Sequence, residues 1–167
     1  MMKALLEKHG GDIQITPEVV VAAAGNWRSG ERVMKILLEK RGGDIQITPE
    51  VVVAAAGNGK CGERVMEILL EKCGGDIQIT PEVVVAAAGN WGCGERVMKI
   101  LLEKRGGDIQ ITPEVVVAAA GNGGCGEGVM EILLEKRGGD IQITPEVVVA
   151  AAGNWRSGER VMKILLE

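Results

Sequence analysis

The sequence predicts an all-α chain, an α-solenoid of stacked helix-turn-helix units with a 32-residue period. Three observations predict it. The segment T-P-E-V-V-V-A-A-A-G-N begins at Thr16, Thr48, Thr80, Thr112 and Thr144, each start 32 residues after the one before. Each copy is followed by a second apolar stretch of helical spacing, V-M-x-I-L-L. Before each new threonine comes a glycine pair and a short D-I-Q-I segment. A unit of this kind cannot bury its own apolar surface, so its stability must come from stacking. The frame divides the chain into a partial unit over 1–15, a second helix and linker, and units at 16–47, 48–79, 80–111, 112–143 and 144–167. Together they make one elongated domain.

Within a unit, Thr16-Pro17-Glu18 reads as a helix start: a hydroxyl to cap a backbone N–H, proline at the first helical position and an acid at the positive helix end. The first helix runs from Pro17 to about Ala24, where Gly25 and Asn26 supply residues tolerant of left-handed conformation to stop it. Val19 to Ala24 are apolar all round, which predicts a helix enclosed by its neighbours. The second helix begins near Ser29-Gly30-Glu31 and ends near Arg41. Val33, Met34, Ile36, Leu37 and Leu38 form its apolar face, and Arg32, Lys35, Glu39 and Lys40 its wet one. Gly42-Gly43 ends it, and Ile45 and Ile47 of the extended linker face the core between units.

Composition agrees with a packed chain, at 46% hydrophobic and 25% charged residues. No apolar run reaches the roughly 18 residues that span a bilayer, and the first residues lack a signal-peptide pattern, so an intracellular, cytoplasmic location is expected. The formal charge of −4 is spread as interspersed acids and bases, which disfavours nucleic acid as a partner. Cys61, Cys93 and Cys125 recur at one frame position. Stacked helices place such residues about 8–10 Å apart, too far for disulfides, which need Cα atoms within about 7 Å. With His9 the only histidine and no C-x-x-C pair, no metal or cofactor is expected. Catalytic residues are not expected either: the chain has no tyrosine and no acid, base and nucleophile outside the repeated frame.

Variation is concentrated in three consecutive loop positions: Trp27-Arg28-Ser29, Gly59-Lys60-Cys61, Trp91-Gly92-Cys93, Gly123-Gly124-Cys125 and Trp155-Arg156-Ser157. Outside them, Lys35, Glu67, Lys99, Glu131 and Lys163 alternate in step with the tryptophans, Cys73 replaces the arginine of Arg41, and Gly128 replaces that of Arg32. The shared alternation implies a duplicating module two units long. Opposite charges at equivalent sites of stacked helices predict Lys35–Glu67-type attraction across units. Variable loops on a constant frame are where binding chemistry changes. Tryptophan is a typical interface anchor. Trp27, Trp91 and Trp155 with Arg28, Lys60 and Arg156 are therefore the candidate partner-binding residues, against the plainer reading that these loops merely tolerate change. Cys61, Cys93 and Cys125 stand at helix starts, where thiols can become reactive. The plainer reading is serine replaced by a residue of similar size, and no base is placed to activate them.

The pattern T-P-x-x-x-x-A-A-x-x-N followed by V-M-K-I-L-L-E-K-R-G-G-D-I resembles the ankyrin repeat across every unit. It departs from it in having only Ile45-Gln46-Ile47 between Asp44 and Thr48, too little for a β-hairpin finger. The units more closely resemble the highly identical two-helix repeats, with cores like V-V-x-A-A-A-G-N and V-M-x-L-L-L-E-x-R-G, of fungal ankyrin-like and NACHT-type intracellular receptor proteins. That resemblance implies a ligand-sensing array that recognises a protein partner. T-P-E-V-V-V-A-A-A-G-N also resembles the first helix of transcription-activator-like effector repeats, which read DNA with the same loop. Here Glu31, Glu63, Glu95, Glu127 and Glu159 stand just beyond that loop, where a duplex binder needs phosphate neutralisation. Protein recognition therefore ranks first, and a nucleic-acid-binding array or a self-assembling structural repeat after it. Because neither end carries a polar capping unit, head-to-tail self-association is a further expectation.

Overall fold

A computed structural model describes residues 13–75 and 77–167. The partial unit expected over 1–15 lies almost wholly outside the described residues. The described residues form five helix pairs. The first helices are α1 (Pro17–Ala24), α3 (Pro49–Ala56), α5 (Pro81–Ala88), α7 (Pro113–Gly121) and α9 (Pro145–Gly153). Their partners are α2 (Gly30–Arg41), α4 (Gly62–Cys73), α6 (Gly94–Arg105), α8 (Gly126–Arg137) and α10 (Gly158–Leu166). Each first helix packs on its own partner and on the first helix of the next unit, and the second helices stack likewise. The result is a two-layered solenoid with a 32-residue repeat. The linkers form no strand among the described residues, so there is no finger.

The core lies between the two layers. Val51, Val52, Ala55 and Ala56 of α3 meet Val65, Met66 and Leu69 of α4, all fully buried, and the units on either side repeat the arrangement. The first helices are not enclosed all round, because Val53, Ala54, Val85 and Ala86 are only half-buried on the outer face of their layer. Ile77 and Ile109 of the linkers are buried beneath adjoining units, while Ile79 and Ile111 pack at the edge of the core. Glycine opens every second helix because the first helix passes directly over it. A Cβ at Gly62, Gly94 or Gly126 would lie 2.8, 2.7 or 2.7 Å from the carbonyl oxygen of Ala55, Ala87 or Ala119.

Two local expectations are corrected. The threonine hydroxyls do not cap a backbone N–H. With proline at the first helical position, it is the Thr16 carbonyl that accepts from the N–H groups of Val19 and Val20, as in every unit. Nor do the helices stop by a left-handed residue: no described residue has a positive φ. Gly25 stays near helical angles, its N–H bonded to Val21 O, and the chain turns at Asn26.

A further tie joins units at the far end of the second helices. The Arg105 guanidinium pairs with Asp108 at 2.7 Å and donates to the carbonyls of Gly74 and Ile77 in the unit before. Arg137 does the same with Asp140, Gly106 and Ile109. Cys73 stands at this position in the second unit, in place of the guanidinium.

Candidate functional site

The loop between the helices of each unit is built on its asparagine. Asn90 Oδ1 accepts from the N–H groups of Gly92 and Cys93 at 3.0 and 3.1 Å, which folds the loop into the start of α6. Its Nδ2 donates across the junction to Ala56 O at 2.7 Å and Asn58 O at 3.1 Å. Asn122 and Asn154 repeat both halves of the arrangement on Ala88 and Asn90, and on Ala120 and Asn122. Asn58 reaches Ala24 O at 2.8 Å. These four side chains are the buried polar groups of the core. Sequence reasoning assigned them a turn role only. The signal that could have found them was an amide constant in all five units at the end of an apolar helix.

On that shared frame the loops dock in two alternating ways. Cys61 and Cys125 donate to the carbonyls of Trp27 and Trp91, at 3.3 and 3.1 Å. Cys93 and Ser157 instead donate to Asn58 O and Asn122 O, both at 3.2 Å. Cys93 thus occupies the hydrogen-bonding role that serine fills in the last unit. Cys93 is buried, Cys61 and Cys125 are half-buried, and all three are free thiols. The middle loop residue is tightly held in two units, since a Cβ on Gly92 or Gly124 would run into the carbonyl of Gly59 or Trp91.

The tryptophans stand out from this backbone. Trp27, Trp91 and Trp155 are 52%, 56% and 78% exposed, far above what burial of an aromatic ring in a core would leave. Lys60 of the next unit places its Nζ 4.4 Å from the Trp27 ring centroid, and the Arg28 guanidinium lies 5.2 Å from it. Both are within cation–π range. Trp91 leans over the following loop, its Cζ2 3.7 Å from where a Cβ of Gly123 would be. Arg156 Cβ lies 3.6 Å from the same point, so the structure brings Trp27, Arg28 and Lys60 together at one end and Arg156, next to Trp155 in sequence, near Trp91 at the other.

The glutamate row just inside the loops is largely neutralised by the solenoid itself. Glu63 pairs with Arg96 and Glu127 with Arg160 across units, at 3.1 and 2.8 Å, while Glu31 pairs with Lys35 and Glu159 with Lys163 within their helices. This corrects the expected Lys35–Glu67 attraction: Glu67 bonds Arg64 of its own helix at 3.0 Å. Helix stagger puts the cross-unit partner one residue beyond the equivalent position. At the α6–α8 junction, Gly128 has no side chain to offer, and Glu95 leans over it, 2.5 Å from where a Cβ would stand.

A family described as "Domain of unknown function (DUF7104)" matches residues 5–34, 36–66, 68–98, 100–130 and 132–162. The chain belongs to this family. From the second copy on, DUF7104 copies are counted from within one second helix to within the next, the same period in a different phase, so each of these spans one complete loop and the junction it forms. No curated protein and no solved structure matches the chain. Among the described residues no group of histidine, cysteine, aspartate or glutamate could hold a metal ion, and no helix is long and apolar enough to cross a membrane.

Proposed function

We propose that this DUF7104 array is a non-enzymatic, cytoplasmic scaffold that recognises a protein partner along its loop edge. Three exposed tryptophans held on a backbone tied from unit to unit by asparagine carry the reading. Large aromatic side chains on a rigid support lose little freedom on binding and are the usual energetic centres of interfaces. The likeness of the helix cores to ankyrin-like and NACHT-type receptor repeats points the same way, and the reading requires no cofactor. A duplex-binding role fits less well, because the loop edge offers three cations over five units and the adjoining row is acidic in sequence.

The test is affinity capture from a lysate of the source organism, with the wild-type chain and a Trp27→Ala/Trp91→Ala/Trp155→Ala variant as baits, quantified by mass spectrometry. Matching thermal melts establish that both baits are folded. The expected result is a set of proteins depleted at least tenfold on the variant. Equal recovery of every protein by both baits overturns the assignment to the loop edge.

A further inference from the structure

The charge on the loop edge is not the charge of the chain. The protein carries a formal −4, and a glutamate follows each loop, yet four of the five glutamates are engaged by arginine or lysine of the solenoid body. Arg28, Lys60 and Arg156 are exposed, and among the described residues none of them forms an ion pair. The edge is therefore cationic where the chain as a whole is acidic.

Its pattern along the array is equally specific. At one end Arg28 and Lys60 flank Trp27. At the other Arg156 adjoins Trp155. Between them Trp91 rises from a stretch where Gly59, Gly92, Gly123 and Gly124 carry no side chain, Gly123 being buried close to Trp91 and Arg156. The edge thus reads cationic, apolar, cationic. Stacked helices lie about 8–10 Å apart, so four junctions separate the first loop from the last by roughly 32–40 Å, the length of about 10–12 residues of extended chain at ~3.3 Å each.

We propose, building on the protein-recognition reading, that the occupant of this edge is an extended acidic protein segment of that length. Its carboxylates pair with Arg28 and Lys60 at one end and Arg156 at the other, and an apolar side chain in its middle rests against Trp91. Ammonium and guanidinium groups lying beside an indole still direct N–H donors outward, and these accept the carboxylates in charge-assisted hydrogen bonds. Single-stranded nucleic acid needs uncovered ring faces on which bases stack. At Trp27 two cations already lie over the ring and compete with a base for it.

The probe is a fluorescein-labelled 12-residue peptide with three glutamates at each end and leucines at its centre, titrated with the full chain by fluorescence polarisation at two salt concentrations. A lysine-for-glutamate peptide, a serine-centred peptide and a 12-nucleotide oligothymidine are the comparators. The acidic peptide is expected to bind, more weakly at higher salt. Binding should fall at least tenfold in Arg28→Gln/Lys60→Gln/Arg156→Gln and in Trp91→Ala, and stay within twofold in Lys40→Gln/Lys72→Gln/Lys104→Gln, which makes the same charge change on the second helices. No binding of the acidic peptide, equal binding to the loop-cation variant, or tighter binding of the lysine peptide or the oligothymidine overturns the proposal. If the loop-cation change is silent while Trp91→Ala still weakens a leucine-centred peptide, the acidic segment is refuted and the loop edge as a protein-binding surface stands.

Discussion

Loops that open on tryptophan and loops that open on glycine share one asparagine frame, yet they rest on their predecessors differently. In the third and fifth units the loop thiol or hydroxyl turns to the asparagine carbonyl of the preceding loop, and in the second and fourth it turns to the tryptophan carbonyl. Equivalent clefts open between α2 and α4, over Leu38 and Ile68, and between α6 and α8, over Leu102 and Ile132. Others open at Pro17 and Val21 and again at Pro81 and Val85, two units further on. The difference teaches that loop variation here is partly packing. A tryptophan that overhangs the next loop is followed by glycine, so the structural module, like the sequence module, is a pair of units.

The largest effect should come from what the two loop types share. Asn90→Ala and Asn122→Ala each leave one carbonyl, that of Ala56 or Ala88, and two loop N–H groups without the amide, while Asn58 O and Asn90 O keep the N–H groups of Gly62 and Gly94. Unsatisfied buried polar groups cost about 1–3 kcal/mol each, so losses of about 3–5 kcal/mol in urea denaturation are expected. The two variants should agree within about 1 kcal/mol. A several-fold disagreement would break the idea of a common frame.

Glycine-to-alanine changes sharpen the contrast. At Gly92 and Gly124 the new methyl meets a carbonyl of the preceding loop, and such overpacking costs about 1–3 kcal/mol. At Gly59 and Gly123 the nearest atoms stand 3.8 and 3.6 Å away. Alanine there should be neutral, or stabilising by up to about 1 kcal/mol through the unfolded chain. Equal melting shifts for all four would show that the middle loop position is no more tightly held than the first.

Smaller still is the change at the distal tie. Cys73→Arg restores the guanidinium that Arg105 and Arg137 use at their own junctions, and should raise stability by about 1 kcal/mol, seen as a higher melting temperature. Arg137→Ala should lower it by a similar amount. An arginine at 73 that leaves the melting temperature unchanged would show that carbonyl contacts at this end contribute nothing.

The smallest effect concerns pH and should not distinguish the loop types. The hydroxyls of Thr16, Thr48 and Thr112, with the glutamates' own backbone N–H groups, hold Glu18, Glu50 and Glu114 below the ordinary carboxylate value of 4.5. A lowered folded-state pKa means that the contribution is present above 4.5 and is lost as pH falls through the folded value. Stability should therefore decline on acidification below 4.5, and less so in a chain with the three threonines changed to valine. Identical acid profiles for the two chains would remove these contacts as the cause.

What the sequence made legible follows from the range of each signal. Thr-Pro, the glycine pairs and the apolar spacing act within a turn or two of chain. They placed helices at Pro17–Ala24 and Gly30–Arg41 where the structure has them. The asparagine ladder was illegible because its decisive bonds join residues 32 and 34 apart, while an asparagine after a helix has a sufficient local explanation. The Lys35–Glu67 expectation failed for a related reason: equal frame positions are neighbours only if stacked helices lie without stagger. The loop triplets were found as positions of change. The contact of Lys60 with Trp27 and the neutralised glutamate row depend on how units stack, which letters within a single unit do not specify.

The same asparagines decide how the array answers a pull on its ends. Each ties the backbone of one unit to the carbonyls of the last, so load passes along a series of nearly equal links and no single clasp bears it all. Stretched, such a chain gives way link by link. Each release frees one 32-residue period, about 110 Å of slack at ~3.3–3.6 Å per residue.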